Sequence, residues 1–219
     1  MSLAQYLAPT RFLDTQHPSI AQYCANFNAS DSDKTKALAL YTKVRDGFLY
    51  NPYHLDLRPE ALVASTILGK RKAWCVEKAI VFATCARYLG IPTKLGFAIV
   101  KNHLESEKLE HYLQTDQIVF HGYVSVLIEH KWVKCTPAFD KRLCNISGVT
   151  VLDWDAENDA LLQAFNGERQ FMEYLSFYGE FDDVPVELMH EEMEKYYPHL
   201  FANPIVTPQF SFKFSGFED

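Results

Sequence analysis

Apolar side chains recur every three or four residues in the first part of the chain, which is the spacing of one face of an α-helix. The segments that show this pattern are residues 20–27, 30–50 and 60–68. Ser32 or Asp33 can cap the second segment, and Gly69 follows the third. The pattern therefore predicts three helices before residue 70.

The next segment, from Cys75 to about Leu89, is apolar on most of its sides. A helix that is apolar nearly all round belongs in a protein core. Gly90 suits the residue just after such a helix, and Pro92 prevents its continuation. We therefore expect a central buried helix that begins at a cysteine.

Apolar runs rich in β-branched and aromatic residues follow this helix and predict β-strands. They are TKLGFAIV (93–100), IVFHGYVSVLI (118–128) and KWVKCTPAF (131–139), with a further strand expected near GVTVLDW (148–154). The short EHK segment between the second and third runs indicates a hairpin. Residues 101–117 are predicted to form a loop, and residues 159–200 a mixture of helices and loops. Helices followed by antiparallel strands indicate an α+β fold.

Composition narrows the class of protein. Apolar residues make up 48% of the 219 residues and charged residues 22%, which is typical of a globular protein with a sizeable core. The N-terminus shows no secretory signal and no apolar run is long enough to cross a membrane, so we expect a cytoplasmic protein without a membrane partner. A net charge of −7 argues against a nucleic-acid partner. Without repeats or linkers, residues 1–219 are expected to form one domain.

The five cysteines form no CxxC pair, so a disulfide framework or a zinc ribbon is not expected. The acidic segment 153–159 lacks the glycine and the glutamate that a calcium-binding loop requires. A metal site built on Cys75 and His121 would need further ligands that the sequence does not provide. We therefore expect neither a metal nor a cofactor.

Cys75 is the candidate nucleophile. The first turn of a helix has unpaired N–H groups and the positive end of the helix dipole, and both favour thiolate over thiol. The alternative is that Cys75 is a small buried apolar side chain, which is the usual fate of a free cysteine.

His121 is the candidate base, because a nucleophilic cysteine needs one and His121 lies at the start of a strand face less apolar than the other. A two-residue hairpin turn places even-numbered residues of the following strand on the same face. Thr136 and Asp140 are therefore both geometrically possible groups to orient His121, and a carboxylate would stabilise the imidazolium better.

The segments WCVEKAIVFATCARYLGIPTKLGF, HGYVSVLIEHKWVKCTPAFD and VRDGFLYNP resemble motifs of the transglutaminase-like superfamily of cysteine enzymes. The resemblance covers core motifs at about 41–140, with a C-terminal extension at about 153–219, and is closest to stand-alone bacterial members. It implies a papain-like core with Cys75 as nucleophile and His121 as general base and acid. Thr136 stands where the family usually has aspartate, so that either Asp140 serves instead or activity is reduced.

The resemblance also implies an oxyanion donor. The backbone N–H of Cys75 is one candidate, and the side chain of Asn51 or of a neighbouring tyrosine is a second. Trp74 could form a wall of the substrate cleft. The expected reaction is cysteine-dependent acyl chemistry on a peptide, protein or small amide. Hydrolysis is favoured over transfer to an amine, and an inactive binding module is the alternative; the oligomeric state is left open.

Overall fold

The computed structural model describes residues 3–102, 107–161, 172–202 and 211–213. Within them, the helices are α1 (Pro18–Cys24), α2 (Asp33–Gly47), α3 (Ala64–Ile67), α4 (Cys75–Tyr88), α5 (Glu107–Leu113), α6 (Lys141–Ser147), α7 (Val186–Tyr196) and α8 (Pro198–Phe201). The strands are β1 (Leu49–Tyr50), β2 (His54–Asp56), β3 (Lys72–Ala73), β4 (Thr93–Asn102), β5 (Gln117–Ile128), β6 (Lys131–Cys135), β7 (Met172–Phe181) and β8 (Ser211–Lys213). Short 3₁₀ turns span Leu3–Tyr6 and Pro59–Leu62.

The main sheet has the strand order β6-β5-β4-β7, and every neighbouring pair in it is antiparallel. In the hairpin that joins β5 to β6, Ile128 pairs with Lys131. Glu129 and His130 therefore form the turn, and both have the positive φ angles, 48° and 70°, that a type I′ hairpin turn requires. The two smaller sheets pair β1 with β3 in parallel and β2 with β8 in antiparallel orientation.

The central helix α4 is buried along nearly its whole length, with every residue from Cys75 to Arg87 inside the core. Its end agrees with the sequence prediction, because Gly90 follows it with a φ of 85°. The helix lies against β5, which confirms the predicted α+β fold with a cysteine-bearing helix packed on an antiparallel sheet. Among the described residues, no helix is both long and apolar enough to span a membrane.

Several predicted elements differ from the structure. The segment 60–68 is not one helix, because Val63 is extended between the 3₁₀ turn and α3. The predicted loop 101–117 contains α5. No strand forms at 148–154, where the carbonyl of Leu152 accepts hydrogen bonds from the side chains of Tyr41 and Arg45 instead of a neighbouring strand.

The strand β7 was not predicted from the sequence, because neither of its faces consists of buried side chains. Most of its side chains are exposed or half-buried, since it lies at the edge of the sheet. The alternation of apolar and polar residues that marks a half-buried strand is therefore weak there. This error matters for the site, because β7 contributes Tyr174 to the surroundings of His121.

Candidate active site

The start of α4 determines where the Cys75 side chain lies. Trp74 is the extended residue just before the helix, and its backbone N–H donates to Glu77 Oε2 at 3.1 Å. The other carboxylate oxygen of Glu77 accepts from Lys70 Nζ at 2.5 Å. The positive charge of Lys70 is therefore paired with Glu77.

The Cys75 thiol is buried and surrounded by hydrogen-bond donors. The backbone N–H groups of Val76 and Gly122 and the hydroxyl of Tyr50 lie near its sulfur, and these donors lower its pKa. Burial is the larger effect and raises the pKa of Cys75 to about 11. The expectation of a lowered pKa from the position at the helix N-terminus is therefore wrong, because the loss of water outweighs the helix donors.

The contact between α4 and β5 is unusually close at Gly122. A Cβ atom on Gly122 would lie 2.9 Å from Val76 Cα and 3.2 Å from the carbonyl oxygen of Cys75. Only glycine permits this approach of β5 to the first turn of α4. Because His121 is the preceding residue, β5 brings the main chain of His121 to the side of the thiol.

The imidazole of His121 is buried among aromatic rings. The ring of Phe139 lies nearly parallel to it at 6.4 Å, and the ring of Tyr174 meets it edge-on at 5.9 Å. Burial lowers the pKa of His121 to about 4. Among the described residues, Nδ1 has no hydrogen-bond partner. The imidazole is therefore neutral and its Nδ1 atom is not held by a carboxylate.

The structure places Asp140 away from the role of orienting His121. Its Oδ2 atom accepts from the backbone N–H of Tyr50 at 2.7 Å, and its Oδ1 atom caps α6 by accepting from Leu143 at 3.0 Å. Pairing of β6 with β5 ends at Cys135, so the strand does not persist far enough to carry Asp140 across from His121. Asp140 instead joins α6 to β1.

Thr136 is also not bonded to the imidazole. Its hydroxyl lies 3.4 Å from the hydroxyl of Tyr174, and its carbonyl accepts from Tyr41. Tyr174 therefore stands between the position usually occupied by the family's aspartate and the imidazole of His121. Sequence reasoning missed Tyr174 because it missed β7, and the aromatic-rich EYLSFYGEF run was the available signal.

The two other candidate residues, Asn51 and Trp74, have different surroundings. Asn51 Oδ1 accepts from the backbone N–H of Tyr53 at 3.0 Å, which is the bond of a turn residue. Of the tyrosines near it in sequence, Tyr50 is the one that contacts the sulfur. Trp74 is buried, and its indole N–H has no acceptor in the part of the chain that the structure describes.

A small apolar cavity of about 20 Å³ adjoins Cys75. Its described lining residues are Tyr50, Pro52, Leu55, Trp74, Cys75, Leu109, Leu113, Ile118, Val119, Met193 and Tyr197. They come from β1, β2 and the segment between them, from the start of α4, from α5, from the beginning of β5, and from the end of α7 and the residue after it. Residues of α5 and α7 thus line the same cavity as Cys75, which is itself only 2% exposed.

The described residues contain no group of three or more histidine, cysteine or acidic side chains that could hold a metal ion. In the acidic segment 153–159, Asp155 accepts hydrogen bonds from the backbone of Glu157 and Asn158. These bonds are those of an acidic turn. All five cysteines are free thiols.

Comparison with known proteins identifies the family of the chain. The chain resembles a crystal structure from Cytophaga hutchinsonii, provisionally named a cysteine protease, with a TM-score of 0.46 and 14% identity over 83% of this chain. It covers 57% of that structure's length. No curated protein matches the sequence. The sequence model of the transglutaminase-like superfamily matches residues 20–137, which is more than half of the chain. The chain therefore belongs to the transglutaminase-like superfamily, as its sequence motifs predicted.

Proposed function

We propose that this protein is a cysteine enzyme in which Cys75 accepts an acyl group from an amide or ester and passes it to water. The sulfur attacks the carbonyl carbon, and the C–S bond forms as the C–N or C–O bond breaks. His121 takes the proton of the thiol and gives it to the leaving amine or alcohol. Water then attacks the thioester, which restores the thiol and releases a carboxylic acid. An amine in place of water would give acyl transfer.

One observation carries this proposal, namely the close packing of α4 on β5 at Gly122, where a Cβ atom would lie 2.9 Å from Val76 Cα and 3.2 Å from the carbonyl oxygen of Cys75. It holds β5 against the start of α4, and His121 is the preceding residue of the same strand, which supports its assignment as the base. The unpartnered Nδ1 atom of His121 supports the role of base, because no described group competes for the lone pair. Membership in the transglutaminase-like superfamily supports a general cysteine-enzyme function.

Supporting roles follow from the contacts. The backbone N–H of Cys75 is a donor for the developing oxyanion, and the hydroxyl of Tyr50 is a better second donor than the side chain of Asn51. Tyr174 and Phe139 orient the imidazole by packing against it, in the place where the family's aspartate would act electrostatically. Hydrolysis is favoured over transfer because no described group marks a site for an amine.

The test is the covalent intermediate. Wild-type protein is mixed with p-nitrophenyl acetate and its intact mass is measured, with Cys75→Ala as the loss variant and Cys135→Ala, another buried cysteine, as the matched control. We expect one acetyl adduct on wild type and on Cys135→Ala, and none on Cys75→Ala. His121→Gln should slow acetylation by about 100-fold or more. An adduct that persists in Cys75→Ala, or that forms on none of the proteins, contradicts the proposal.

The second candidate function is a non-catalytic binding module that has kept the fold. The observation that favours it is the neutral surroundings of His121, since neither Asp140 nor Thr136 bonds to Nδ1. A folded wild-type protein that stays unacylated between about pH 6 and 10 would favour the module. A cytoplasmic location stays a prediction; the five free thiols are in keeping with a reducing compartment.

A further inference from the structure

We propose that the cavity beside Cys75 is an acyl pocket that selects a short, uncharged, aliphatic acyl group. This inference rests on the proposed function, because the pocket acts only if Cys75 accepts an acyl group. It adds the class of substrate, which neither the family nor the geometry of Cys75 and His121 specifies.

The walls of the cavity are apolar and come from separate parts of the chain. The side chains that form them are Leu55, Leu109, Leu113, Ile118, Val119 and Met193. None of the described lining residues is charged. A carboxylate or ammonium group placed there would lose its water without gaining a partner, which is strongly unfavourable.

The polar atoms at the cavity are accounted for except one. The hydroxyl of Tyr197 accepts from the N–H of Val119 at 2.8 Å and donates to the carbonyl of Gln117 at 2.9 Å. The hydroxyl of Tyr50 donates to the sulfur of Cys75. The indole N–H of Trp74 remains without an acceptor among the described residues, although Trp74 is only 3% exposed.

An unpaired donor and a sulfur on one apolar cavity fit an acyl group. A buried N–H without an acceptor is costly, so a bound carbonyl oxygen would satisfy the indole. The carbonyl carbon of the same group would be attacked by the Cys75 sulfur, and its alkyl part would meet the aliphatic walls. Each part of an aliphatic acyl group thus finds a matching neighbour.

The volume of the cavity sets the length of the acyl chain. About 20 Å³ is room for about one water molecule, and hence for a group of the size of a methyl. Leu113 and Met193 line the cavity and are themselves 5% and 2% exposed, so a longer chain must displace packed side chains. A methyl or ethyl group is therefore accepted more readily than a longer chain.

The experiment measures acylation of Cys75 by three p-nitrophenyl esters: acetate, hexanoate and the charged monosuccinate. Each rate of p-nitrophenol release is divided by the rate for N-acetylcysteine with the same ester, which removes differences in intrinsic reactivity. We expect the normalised rate for acetate to exceed that for hexanoate by about tenfold or more. The normalised rate for acetate should exceed that for succinate by a larger factor, because the apolar cavity cannot accommodate the charge of succinate.

Two substitutions at one position test the walls. Leu113→Ala should raise the hexanoate-to-acetate ratio about tenfold by enlarging the pocket. Leu113→Lys should raise the succinate-to-acetate ratio by supplying a counter-charge. Ile146→Ala is the matched control, since Ile146 is exposed and lies outside the cavity. Trp74→Phe keeps the apolar wall but removes the indole N–H. It should slow acylation of Cys75 by the acetate ester about tenfold.

The wild-type series alone decides the proposal, so it does not depend on whether the variants fold. Equal normalised rates for the three esters, with the adduct on Cys75, would overturn the pocket and leave the proposed function intact. Acylation of Cys75 by none of them would overturn both.

Discussion

At the scale of single residues, burial sets the protonation state of both candidate catalytic groups. It raises the pKa of Cys75 to about 11 and lowers that of His121 to about 4, so that both groups are neutral near pH 7. The helix donors and the hydroxyl of Tyr50 act in the opposite direction on Cys75 but are outweighed. The thiolate is therefore expected to form as the thiol attacks and not to exist beforehand.

The pH dependence of alkylation tests this. We expect the rate of Cys75 with iodoacetamide to rise about tenfold per pH unit between about pH 7 and 10, because the thiolate fraction does so below a pKa of about 11. Tyr50→Phe removes a donor, raises the pKa further and should slow the reaction at each pH. Tyr88→Phe, which changes an exposed tyrosine outside the cavity, serves as control. A plateau below about pH 8 would show a thiolate already present.

His121 makes stability depend on pH on the acid side. Its folded pKa of about 4 is below the unfolded value of about 6.5, so the unfolded state binds the proton more readily. The contribution is fully present above about pH 6.5 and is lost as the pH falls towards 4, by up to about 1.4 kcal/mol per pH unit. Urea unfolding at several pH values measures it. His121→Gln should flatten the slope of the free energy of unfolding against pH, whereas His130→Asn in the exposed turn should not. Equal slopes for wild type and His121→Gln would contradict this prediction.

At the scale of elements, the first turn of α4 and the middle of β5 build the site together, and other elements hold them in position. Gly122 permits the contact between the two. Asp140 connects the start of α6 to the backbone of Tyr50 on β1, and the side chain of Tyr50 reaches the sulfur. Asp140 thus fixes the backbone of Tyr50, a residue that lines the same cavity as Cys75.

Removal of the Asp140 side chain should therefore cost stability. Asp140→Ala deprives α6 of its N-cap and leaves the N–H of Tyr50 without its acceptor, with a combined cost of about 2 kcal/mol in the free energy of unfolding. Urea denaturation measures it, with Asp31→Ala on the exposed surface as control. The acid-side slope that belongs to His121 should stay unchanged. If that slope shifts in Asp140→Ala, Asp140 does interact with the imidazole.

Elements were predictable where the local pattern is strong. The helices α2 and α4 and the hairpin of β5 and β6 follow from helical periodicity, a cap at Ser32, a glycine stop and a short turn. The helix α5 and the edge strand β7 were missed, because the first lies in a polar stretch and the second is half exposed. Their side chains matter at the site, since Leu113 lines the cavity and Tyr174 meets the imidazole.

At the scale of the whole molecule, segments far apart in sequence close over the candidate nucleophile. Tyr197, directly after α7, is bonded to the start of β5 and lines the cavity of Cys75. The part of the chain that follows the core motifs therefore contributes to the wall beside Cys75. This coupling is visible only when the chain is folded.

Loosening this cover should expose the thiol. Tyr197→Phe removes both hydrogen bonds to β5, and a loss of about 1.4 kcal/mol would raise the open population about tenfold. We expect the alkylation rate of Cys75 at pH 8 to rise by about that factor. Tyr196→Phe is the adjacent control and should have little effect. An unchanged rate in Tyr197→Phe would mean that access does not depend on this contact.

The sequence by itself determined that a helix begins at Cys75, that it is buried, that an antiparallel hairpin follows and that His121 lies on that hairpin. These features depend on residues close together in the chain, whose periodicity and turn chemistry act locally. Only the tertiary structure decided the protonation of Cys75, the bonds of Asp140 and the shape of the cavity. Each of these depends on removal from water and on partners such as Tyr50, Gly122 and Tyr197, which folding alone brings to the same place.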